Sequence, residues 1–305
     1  MLFIFCKNNF KLKTLIKGDL TYSKGKLLSV LINRINHKYA SLHINKYPQL
    51  AIFSFDHIGM HINLYGRYER EFLDLVSELI TKKIPNACSI SAVDIGANIG
   101  NHSVFFANHF KNVFSFEPNP ITYEVLKINS KYAAPKKNIH SYCLGLSDRN
   151  AELHFEVNSS NIGGSRIIQE KNKLDSNNFI EILVKRADEL DALKEANIGL
   201  IKIDVEGHEI NALKGAHEII IKNKPIIIFE QHASEIYDGT SEVISYLESL
   251  DYDFYEIKKR FDFGEGFLNR FARLLLTKIF GSRLSLVQAD KFKEKYYDMI
   301  VAINE

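Results

Sequence analysis

The sequence predicts an α/β fold with a mostly parallel sheet and helices on both of its faces. From residue 89 onward, short apolar segments alternate with segments of helical period, which is the pattern of repeated strand–helix units. The apolar segments are nearly continuous, as in strands that are buried on both faces. A turn with glycines at Gly96 and Gly100 joins the first strand to the first helix. These observations favour one large domain with appended segments in a chain of 305 residues.

The segment that precedes this domain is predicted to form a hairpin and a helix. Ala51–Phe55 and Met60–Leu64 are short apolar or alternating runs, and Asp56–Gly59 between them has the composition of a turn. Residues 67–83 then place apolar side chains at helical spacing, and Pro85 follows as a stop signal.

Strands and helices alternate regularly within the main domain. The predicted strands of this alternation are Ile90–Ile95, Asn112–Phe116, Ile139–Leu144, Leu200–Asp204 and Pro225–Glu230. The predicted helices are Asn101–Phe110, Ile121–Tyr132 and Ile210–Ile221. Further strands are predicted around a polar loop and at the end of the chain: Ala151–Val157, Phe179–Val184, Tyr252–Ile257 and Tyr297–Ile303. Repeated units of this size predict a parallel sheet, because the connecting helices pack back onto its faces.

Basic segments flank an acidic body. Residues 1–46 hold nine Lys or Arg against Asp19 alone, and residues 258–283 hold seven against two acidic residues. Residues 267–280 place apolar side chains on one helical face and basic side chains mainly on the other. Such a helix either packs on the domain or lies on an anionic membrane. We divide the chain into a basic segment 1–46, a hairpin and helix in 47–88, and a domain in 89–305 with a basic amphipathic insert at about 258–295.

The composition excludes several classes of protein. Hydrophobic residues make up 46% and charged residues 25% of the chain, which argues against a disordered or fibrous protein. No apolar run approaches the ~20 residues that span a bilayer. Cys6, Cys88 and Cys143 lie far apart, which argues against a disulfide framework and a thiolate zinc site. We expect a cytoplasmic protein with no nucleic-acid partner. Peripheral contact of the basic flanks with the inner membrane face remains an open alternative.

The glycine turn has the features of a nucleoside-binding site. Gly96 permits a tight turn and close approach of a ligand, and the free N–H groups of the following helix start face that ligand. Glu117 ends the next strand, where a carboxylate can accept hydrogen bonds from both ribose hydroxyls. Position 98 is Asn where the dinucleotide fingerprint has its middle glycine, and Asp94 would repel a pyrophosphate. The pattern therefore favours a cationic nucleoside, S-adenosylmethionine, over a dinucleotide.

Several motifs occur together and in a fixed order. They are Val93–Gly100, Phe116–Asn119, Asn161–Ser165, Lys202–Glu209, Ala212–Ala216 and Pro225–Glu230. In these motifs the chain resembles the FkbM family of S-adenosylmethionine-dependent methyltransferases, over roughly residues 60 to 232. The Lys-Ile-Asp-Val-Glu-Gly sequence that begins at Lys202 is the most specific of them. The resemblance implies a Rossmann-like class I methyltransferase fold, whose sheet has seven strands with the last one antiparallel. It also implies methyl transfer to an oxygen, often a hydroxyl of a sugar or a natural product.

The resemblance also implies roles for individual residues. Gly96, Asn98 and Gly100 would line the methionine part of S-adenosylmethionine, and Asp94 would act near its amino group. Glu117 would hold the ribose. The adenine would lie near Ser147 and Asp148, which follow the third strand.

A second group of polar residues follows the fourth strand. Asp204, Glu206, His208 and Glu209 should face the same crevice as the glycine turn, because ligands bind at the carboxyl ends of strands in open α/β sheets. Asp204, Glu206 or His208 could take the proton of an acceptor hydroxyl. Alternatively, Asp204 and Glu206 could hold Mg²⁺ together with Glu230, although we favour a site without metal. A structural alternative is that Glu206 and Glu209 cap the next helix.

Three other features have both a functional and a structural interpretation. Asn161–Ser165 is either a loop over the acceptor or a plain glycine turn. His232 either lines the crevice or lies at its polar rim, and His102 either approaches the cofactor or serves the helix start.

The sequence thus predicts an S-adenosylmethionine-dependent O-methyltransferase that acts on a hydroxyl of a saccharide or related small molecule. Two alternatives remain: an NAD-dependent oxidoreductase, and a non-catalytic cofactor-binding scaffold domain. The missing middle glycine argues against the first. The second would bind the cofactor without turnover.

Overall fold

The computed structural model describes residues 26–158, 162–168, 179–261 and 283–304, and isolated positions between 266 and 281. Residues 1–25 of the predicted basic segment, Asn161 of the predicted loop, and much of the predicted amphipathic helix in 267–280 lie outside the described residues.

The described strands form two sheets. In chain order they are β1 (Ser91–Ile95), β2 (Asn112–Phe116), β3 (Ile139–Tyr142), β4 (Gly145–Leu146), β5 (Ala151–Glu156), β6 (Arg166–Ile168), β7 (Phe179–Lys185), β8 (Ile198–Ile203), β9 (Ile226–Gln231), β10 (Asp253–Lys259), β11 (Leu284–Gln288) and β12 (Tyr297–Ile303). The large sheet has the order β11-β10-β12-β9-β8-β1-β2-β3, and the small sheet has the order β4-β7-β5-β6.

The large sheet confirms the predicted α/β fold. Strands β3, β2, β1, β8 and β9 pair in parallel, and β12 is antiparallel to both β9 and β10, as the resemblance implied for the last strand. The sheet has eight strands rather than the seven predicted. The eighth, β11, comes from the inserted segment and pairs antiparallel with the edge of β10.

Helices cover both faces of this sheet. The described helices are α1 (Lys26–Ser41), α2 (His57–Tyr65), α3 (Arg70–Lys83), α4 (Asn101–Phe106), α5 (Pro120–Tyr132), α6 (Asp191–Lys194), α7 (Glu209–Gly215), α8 (His217–Asn223) and α9 (Glu242–Glu248). Alternate residues of β1 face opposite sides: Val93 and Ile95 join the core beneath α7 to α9, and Ala92 joins the core beneath α3 and α4. This two-sided burial explains why the strand sequences are almost uniformly apolar.

The predicted hairpin before the main domain is wrong. Residues 51–55 form no strand, and the second predicted strand belongs to helix α2. The side chain of Asp56 accepts a hydrogen bond from the Ile58 N–H, so it caps a helix rather than closing a turn. Gly66 ends this helix in the left-handed conformation, with φ of 78°. The predicted helix that follows is confirmed as α3, which buries Phe72, Leu73, Val76, Leu79 and Ile80.

The predicted single helix over residues 210–221 is interrupted. It consists of α7 and α8, which are separated at Ala216. A Cβ atom on Gly215 would lie 1.9 Å from the carbonyl oxygen of Ser147, so the chain after the small-sheet strand β4 passes directly against this helix end. Only glycine permits this approach.

The small sheet is inserted between β3 and β8. Its strands β5 and β7 are the two strands predicted around a polar loop, and they pair antiparallel over the full length of β5. Phe155, Ile182 and Val184 form its own small core. Its position leaves Phe155 and Ile167 facing the carboxyl ends of the large sheet's strands. Within the described residues, the helices are too short or too polar to cross a membrane.

Candidate active site

The turn after β1 brings two strand ends into close contact. Gly96 has a φ of 76°, and a Cβ atom there would lie 1.8 Å from the carbonyl oxygen of Asp204 after β8. Asn98 is also left-handed, with φ of 50°, and Gly100 has φ of 89° where α4 begins. The glycines therefore allow the β1 and β8 connections to share the base of one cleft.

Glu117 is held beside this turn by main-chain hydrogen bonds. It follows β2, its exposed fraction is 6%, and its Oε2 accepts a hydrogen bond of 2.9 Å from the Asn98 N–H. Its Oε1 accepts a second bond of 2.9 Å from the Asn119 N–H. Burial raises the pKa of Glu117 to about 7, although both backbone bonds oppose the shift. The carboxylate is thus fixed at the cavity wall with further acceptor capacity.

A cavity of about 230 Å³ lies at the carboxyl ends of the strands. It is lined by the turn after β1 and Glu117, by Asp204, Val205, Glu206 and His208 after β8, and by Glu230 within β9. The small sheet contributes Phe155 and Ile167, and the preceding loop contributes Gly163 and Ser165. The last two belong to the predicted loop segment, so its described part does border the crevice.

The predicted cofactor residues occupy different positions relative to this cavity. Gly96, Asn98 and Glu117 line it, whereas Asp94 and Gly100 lie behind its wall. Asp94 is fully buried, and its Oδ2 accepts a 2.6 Å hydrogen bond from the Ser103 hydroxyl. The role of Asp94 near an amino group stays a prediction, as do the roles of the other cofactor residues.

Ser147 and Asp148 lie one layer further out, behind His208. The Ser147 hydroxyl is 2.9 Å from Nε2 of His208 and 3.1 Å from Oδ1 of Asp148. His208 itself lines the cavity and is 5% exposed. Burial lowers the pKa of this imidazole, so it is neutral at pH 7. The adenine contact of Ser147 and Asp148 stays a prediction, and in the structure Ser147 contacts both His208 and Asp148.

A buried lysine pairs with the carboxylates of Asp94 in β1 and Asp204 after β8. Lys202 Nζ lies 3.0 Å from Oδ2 of Asp204 and 3.8 Å from Oδ1 of Asp94, with the Lys202 side chain only 2% exposed. Burial disfavours the ionised form of Asp204, but the Lys202 charge and a hydrogen bond from Glu230 outweigh it and lower its pKa. Burial and the Asp204 charge raise the pKa of Glu230, which Tyr296 also contacts through a hydrogen bond. Asp204 is therefore the ionised member of a proton-sharing pair.

Glu206 lines the cavity and is paired with His232, which is not among the lining residues. The Glu206 backbone is left-handed, with φ of 53°, and its Oε2 lies 3.5 Å from Nε2 of His232. Burial and the charge of Asp204 raise the pKa of Glu206. Ligand atoms of Glu206, Glu230 and His232 lie within 4.8 Å of one another, a spacing that would suit a divalent cation. The expectation of a site without metal stays a prediction.

Glu209 is the first residue of α7, but its side chain binds the loop before the helix, whose N-cap residue is His208. Oε1 of Glu209 accepts 3.2 Å hydrogen bonds from the N–H groups of Val205 and Gly207, just before α7. Glu206 instead turns toward His232. His102, the other histidine with two interpretations, lines the cavity, and its Nε2 lies 3.0 Å from Oε2 of Glu69.

Sequence reasoning missed several residues of the cavity wall. They are His57, Tyr68, Glu69, Lys202, Tyr296 and Asp298. Lys202 carried a signal, because a lysine inside an otherwise apolar strand must pair with a buried acid. The others come from α2, the α2–α3 connection and the start of β12, and no local pattern places these segments beside β1.

The architecture and the cavity can be compared with known proteins. The model of the methyltransferase FkbM domain matches residues 94–254, which is more than half of the chain. The chain belongs to the FkbM methyltransferase family. The matched region runs from β1 to β10 and contains the glycine turn, Glu117 and the carboxylates after β8.

Two curated relatives share part of this region. Hexuronic acid methyltransferase AglP of Haloferax volcanii is 33% identical over 141 residues, which cover 46% of this chain and 55% of that protein. Methyltransferase sdnD of Sordaria araneosa is 29% identical over 159 residues, which cover 41% of this chain and 60% of that protein. The chain thus spans little more than half the length of these relatives.

A solved structure of the same family also matches. The crystal structure of methyltransferase FkbM from Methylobacillus flagellatus superposes with a TM-score of 0.41 and 16% sequence identity, covering 90% of this chain and 60% of that one.

Proposed function

We propose that the protein is an S-adenosylmethionine-dependent O-methyltransferase whose acceptor is a saccharide hydroxyl. The observation that carries the proposal is that, in a chain of the FkbM family, the glycine turn and buried Glu117 border one cavity with the carboxylates after β8. The name of the hexuronic acid methyltransferase relative supports a saccharide acceptor.

The chemistry of the cavity wall fits a cationic nucleoside. Six of the described lining residues are acidic, and the one lysine among them, Lys202, is already paired with Asp94 and Asp204. The six are Glu69, Glu117, Asp204, Glu206, Glu230 and Asp298. Glu230 holds the proton that it shares with Asp204, so the other five carry the negative charge. A negative cavity attracts a sulfonium and an ammonium group and repels the pyrophosphate of a dinucleotide. Glu117 would hold the ribose hydroxyls, and Gly96 and Asn98 would border the methionine part. The cofactor would supply an electrophilic methyl group.

Removal of the Glu117 carboxylate tests the cofactor assignment. In isothermal titration, Glu117→Ala is expected to weaken S-adenosylmethionine binding at least tenfold, about 1.4 kcal/mol, because both ribose hydroxyls lose their acceptor. Glu124→Ala is the matched control, because Glu124 is an exposed carboxylate on α5 that pairs with Lys127. Absence of binding to the wild-type protein, or equal affinity of Glu117→Ala and wild type, contradicts the assignment. Binding without turnover of any saccharide would favour the scaffold alternative.

The acceptor hydroxyl needs a base and an aligned position. Glu206 is the best matched base, because burial and the Asp204 charge make its carboxylate more basic than an exposed one. Ionised Asp204 would accept a hydrogen bond from the acceptor and orient it. His208 would support the site through its contact with Ser147.

The pH dependence of turnover tests this assignment of the base. Glu206 must be ionised to accept a proton, so the rate is expected to fall as pH decreases through its raised pKa, above the ordinary range of a carboxyl group. Asp204→Asn removes the negative charge that helps to raise this pKa, so the acidic limb should move to lower pH. The measurement is the rate of S-adenosylhomocysteine release against pH at saturating substrates. If the acidic limb of the pH–rate curve of Asp204→Asn stays at the same pH or moves to higher pH, Glu206 is not the base.

A further inference from the structure

A second cleft opens beside the cavity. It has a volume of about 1010 Å³ and lies between the α2–α3 segment on one side and β10, β11 and the start of β12 on the other. The cavity and the cleft have five wall residues in common: His57, Tyr68, Glu69, Tyr296 and Asp298. The cleft and the cavity therefore adjoin along these five residues.

The charge of this cleft is opposite to that of the cavity. Its fixed cations are Arg67, Arg70, Lys259, Lys293 and Lys295, and its acidic residues are Glu69, Glu71 and Asp298. Glu69 is already bound to His102, and Lys295 lies 3.4 Å from Glu256. In the part of the chain that the structure describes, Arg70, Lys259 and Lys293 make no ion pair. Lys259 does interact electrostatically with Asp298, but five fixed cations against three carboxylates leave the cleft with a net positive charge.

One cation of the cleft is positioned by aromatic rings. The guanidinium of Arg67 lies 4.7 Å from the ring centre of Tyr47 and 5.1 Å from that of Phe105. Burial lowers the pKa of Arg67, which nevertheless stays charged at neutral pH. A guanidinium that is fixed in this way and partly removed from water binds carboxylates and phosphates more strongly than a free surface lysine does.

Rings from α2 and the following loop form another wall of the cleft. The ring centres of His57 and His61 are 4.3 Å apart. The ring centre of His61 lies 5.5 Å from that of Tyr65 and 5.8 Å from that of Tyr68. Flat rings of this kind offer apolar faces together with polar edges. The C–H face of a pyranose ring has matching dimensions and can pack against them, while its hydroxyls contact the polar edges.

We propose that this cleft is the acceptor subsite and that it binds an anionic saccharide, with the anionic group on the basic residues and the reacting hydroxyl toward Glu206. The inference rests on the proposed function and extends it from saccharides in general to those that carry a carboxylate or a phosphate. The acidic cavity repels such a group, and the basic cleft attracts it, so only one orientation of the acceptor is favoured.

Direct titration with saccharides tests the subsite independently of methyl transfer. The probes are trigalacturonate, neutral maltotriose of equal length, and glucose 1-phosphate, each titrated calorimetrically into the full chain at low ionic strength. The wild-type protein is expected to bind trigalacturonate or glucose 1-phosphate at least ten times more tightly than maltotriose. The stronger of the two anionic probes identifies the source of the negative charge.

Variants of the cleft and a neighbouring lysine complete the test. The double substitution Lys259→Gln and Lys293→Gln should weaken binding of the anionic probe about tenfold, because the cleft loses two of its five fixed cations. Lys258→Gln is the control, because Lys258 is adjacent on β10 but lies outside the cleft lining and pairs with Glu256. It should change the affinity less than twofold, a small effect typical of an exposed ion pair.

Three outcomes would overturn the proposal: no binding of either anionic probe to the wild type, equal binding of neutral and anionic probes, or equal losses in the double variant and the control. S-adenosylmethionine is titrated into the same preparations. If the wild-type protein does not bind S-adenosylmethionine, the proposed methyltransferase function is refuted. If it binds S-adenosylmethionine but neither anionic saccharide, only the anionic subsite is refuted.

Discussion

Substitution of Lys202 by methionine is expected to lower the free energy of unfolding by about 3–5 kcal/mol, the usual cost of removing one partner from a buried ion pair. The Lys202 ammonium group lies between Asp94 and Asp204, and its side chain is 2% exposed. Although burial opposes it, the two carboxylates raise the pKa of Lys202. Without the ammonium group, fully buried Asp94 loses its compensating charge. Urea-induced unfolding followed by circular dichroism measures the difference.

Two further variants separate this effect from a general loss of packing. In the double variant Lys202→Met and Asp94→Asn, both members of the pair are neutral, so part of the stability should return. Lys214→Met is the surface control, since Lys214 is an exposed lysine on α7. If Lys202→Met unfolds at the same urea concentration as Lys214→Met, the buried pair does not stabilise the fold.

Substitution of Glu206 by glutamine is expected to lower kcat by about 10²- to 10⁴-fold, the range for loss of a general base. The amide keeps the size of the side chain but cannot take a proton from the acceptor hydroxyl. Affinity for S-adenosylmethionine should change little, because the proposed ribose acceptor is Glu117 and not Glu206. Single-turnover rates with radiolabelled cofactor measure the effect, with the saccharide that gives the highest wild-type rate.

Glu218→Gln is the control for this experiment, since Glu218 is an exposed glutamate on α8, outside the cavity lining. If Glu206→Gln retains kcat within a factor of a few, another group is the base. Asp204→Asn and His208→Ala would then identify it. A drop in cofactor affinity equal to the drop in rate would instead assign Glu206 to binding.

Local sequence patterns were sufficient to predict the parallel core. Each of β1, β2, β8 and β9 is a run of mostly buried residues next to a turn or a helix start. Nearby residues alone therefore indicate where in the sequence each strand lies. The location of Glu117 at the cavity followed in the same way, because residues at the carboxyl ends of neighbouring parallel strands meet at one edge of the sheet. The antiparallel β12 was also predicted at its observed bounds.

The remaining features depend on contacts between distant segments. Asp56–Gly59 was predicted as a turn because Asp and Gly favour both turns and helix caps, and packing decides between them. The strands over Ala151–Val157 and Phe179–Val184 were predicted, but their alternation alone could not show that they form a separate small sheet. The basic cleft joins Arg67 to Lys293, which are far apart in the chain, so no local spacing could predict it.

The extra edge strand β11 has a consequence for how such a protein can diversify. It extends the sheet beyond β10, and its first residue, Leu284, lines the basic cleft. The parallel strands that carry the glycine turn and Glu117 lie at the other end of the sheet order, so changes in length or sequence at β11 leave them untouched. Substitutions in β11 can therefore change which acceptor binds in the basic cleft, while the glycine turn and Glu117 that would bind the methyl donor stay the same. Exchange of this strand between family members is the corresponding engineering route.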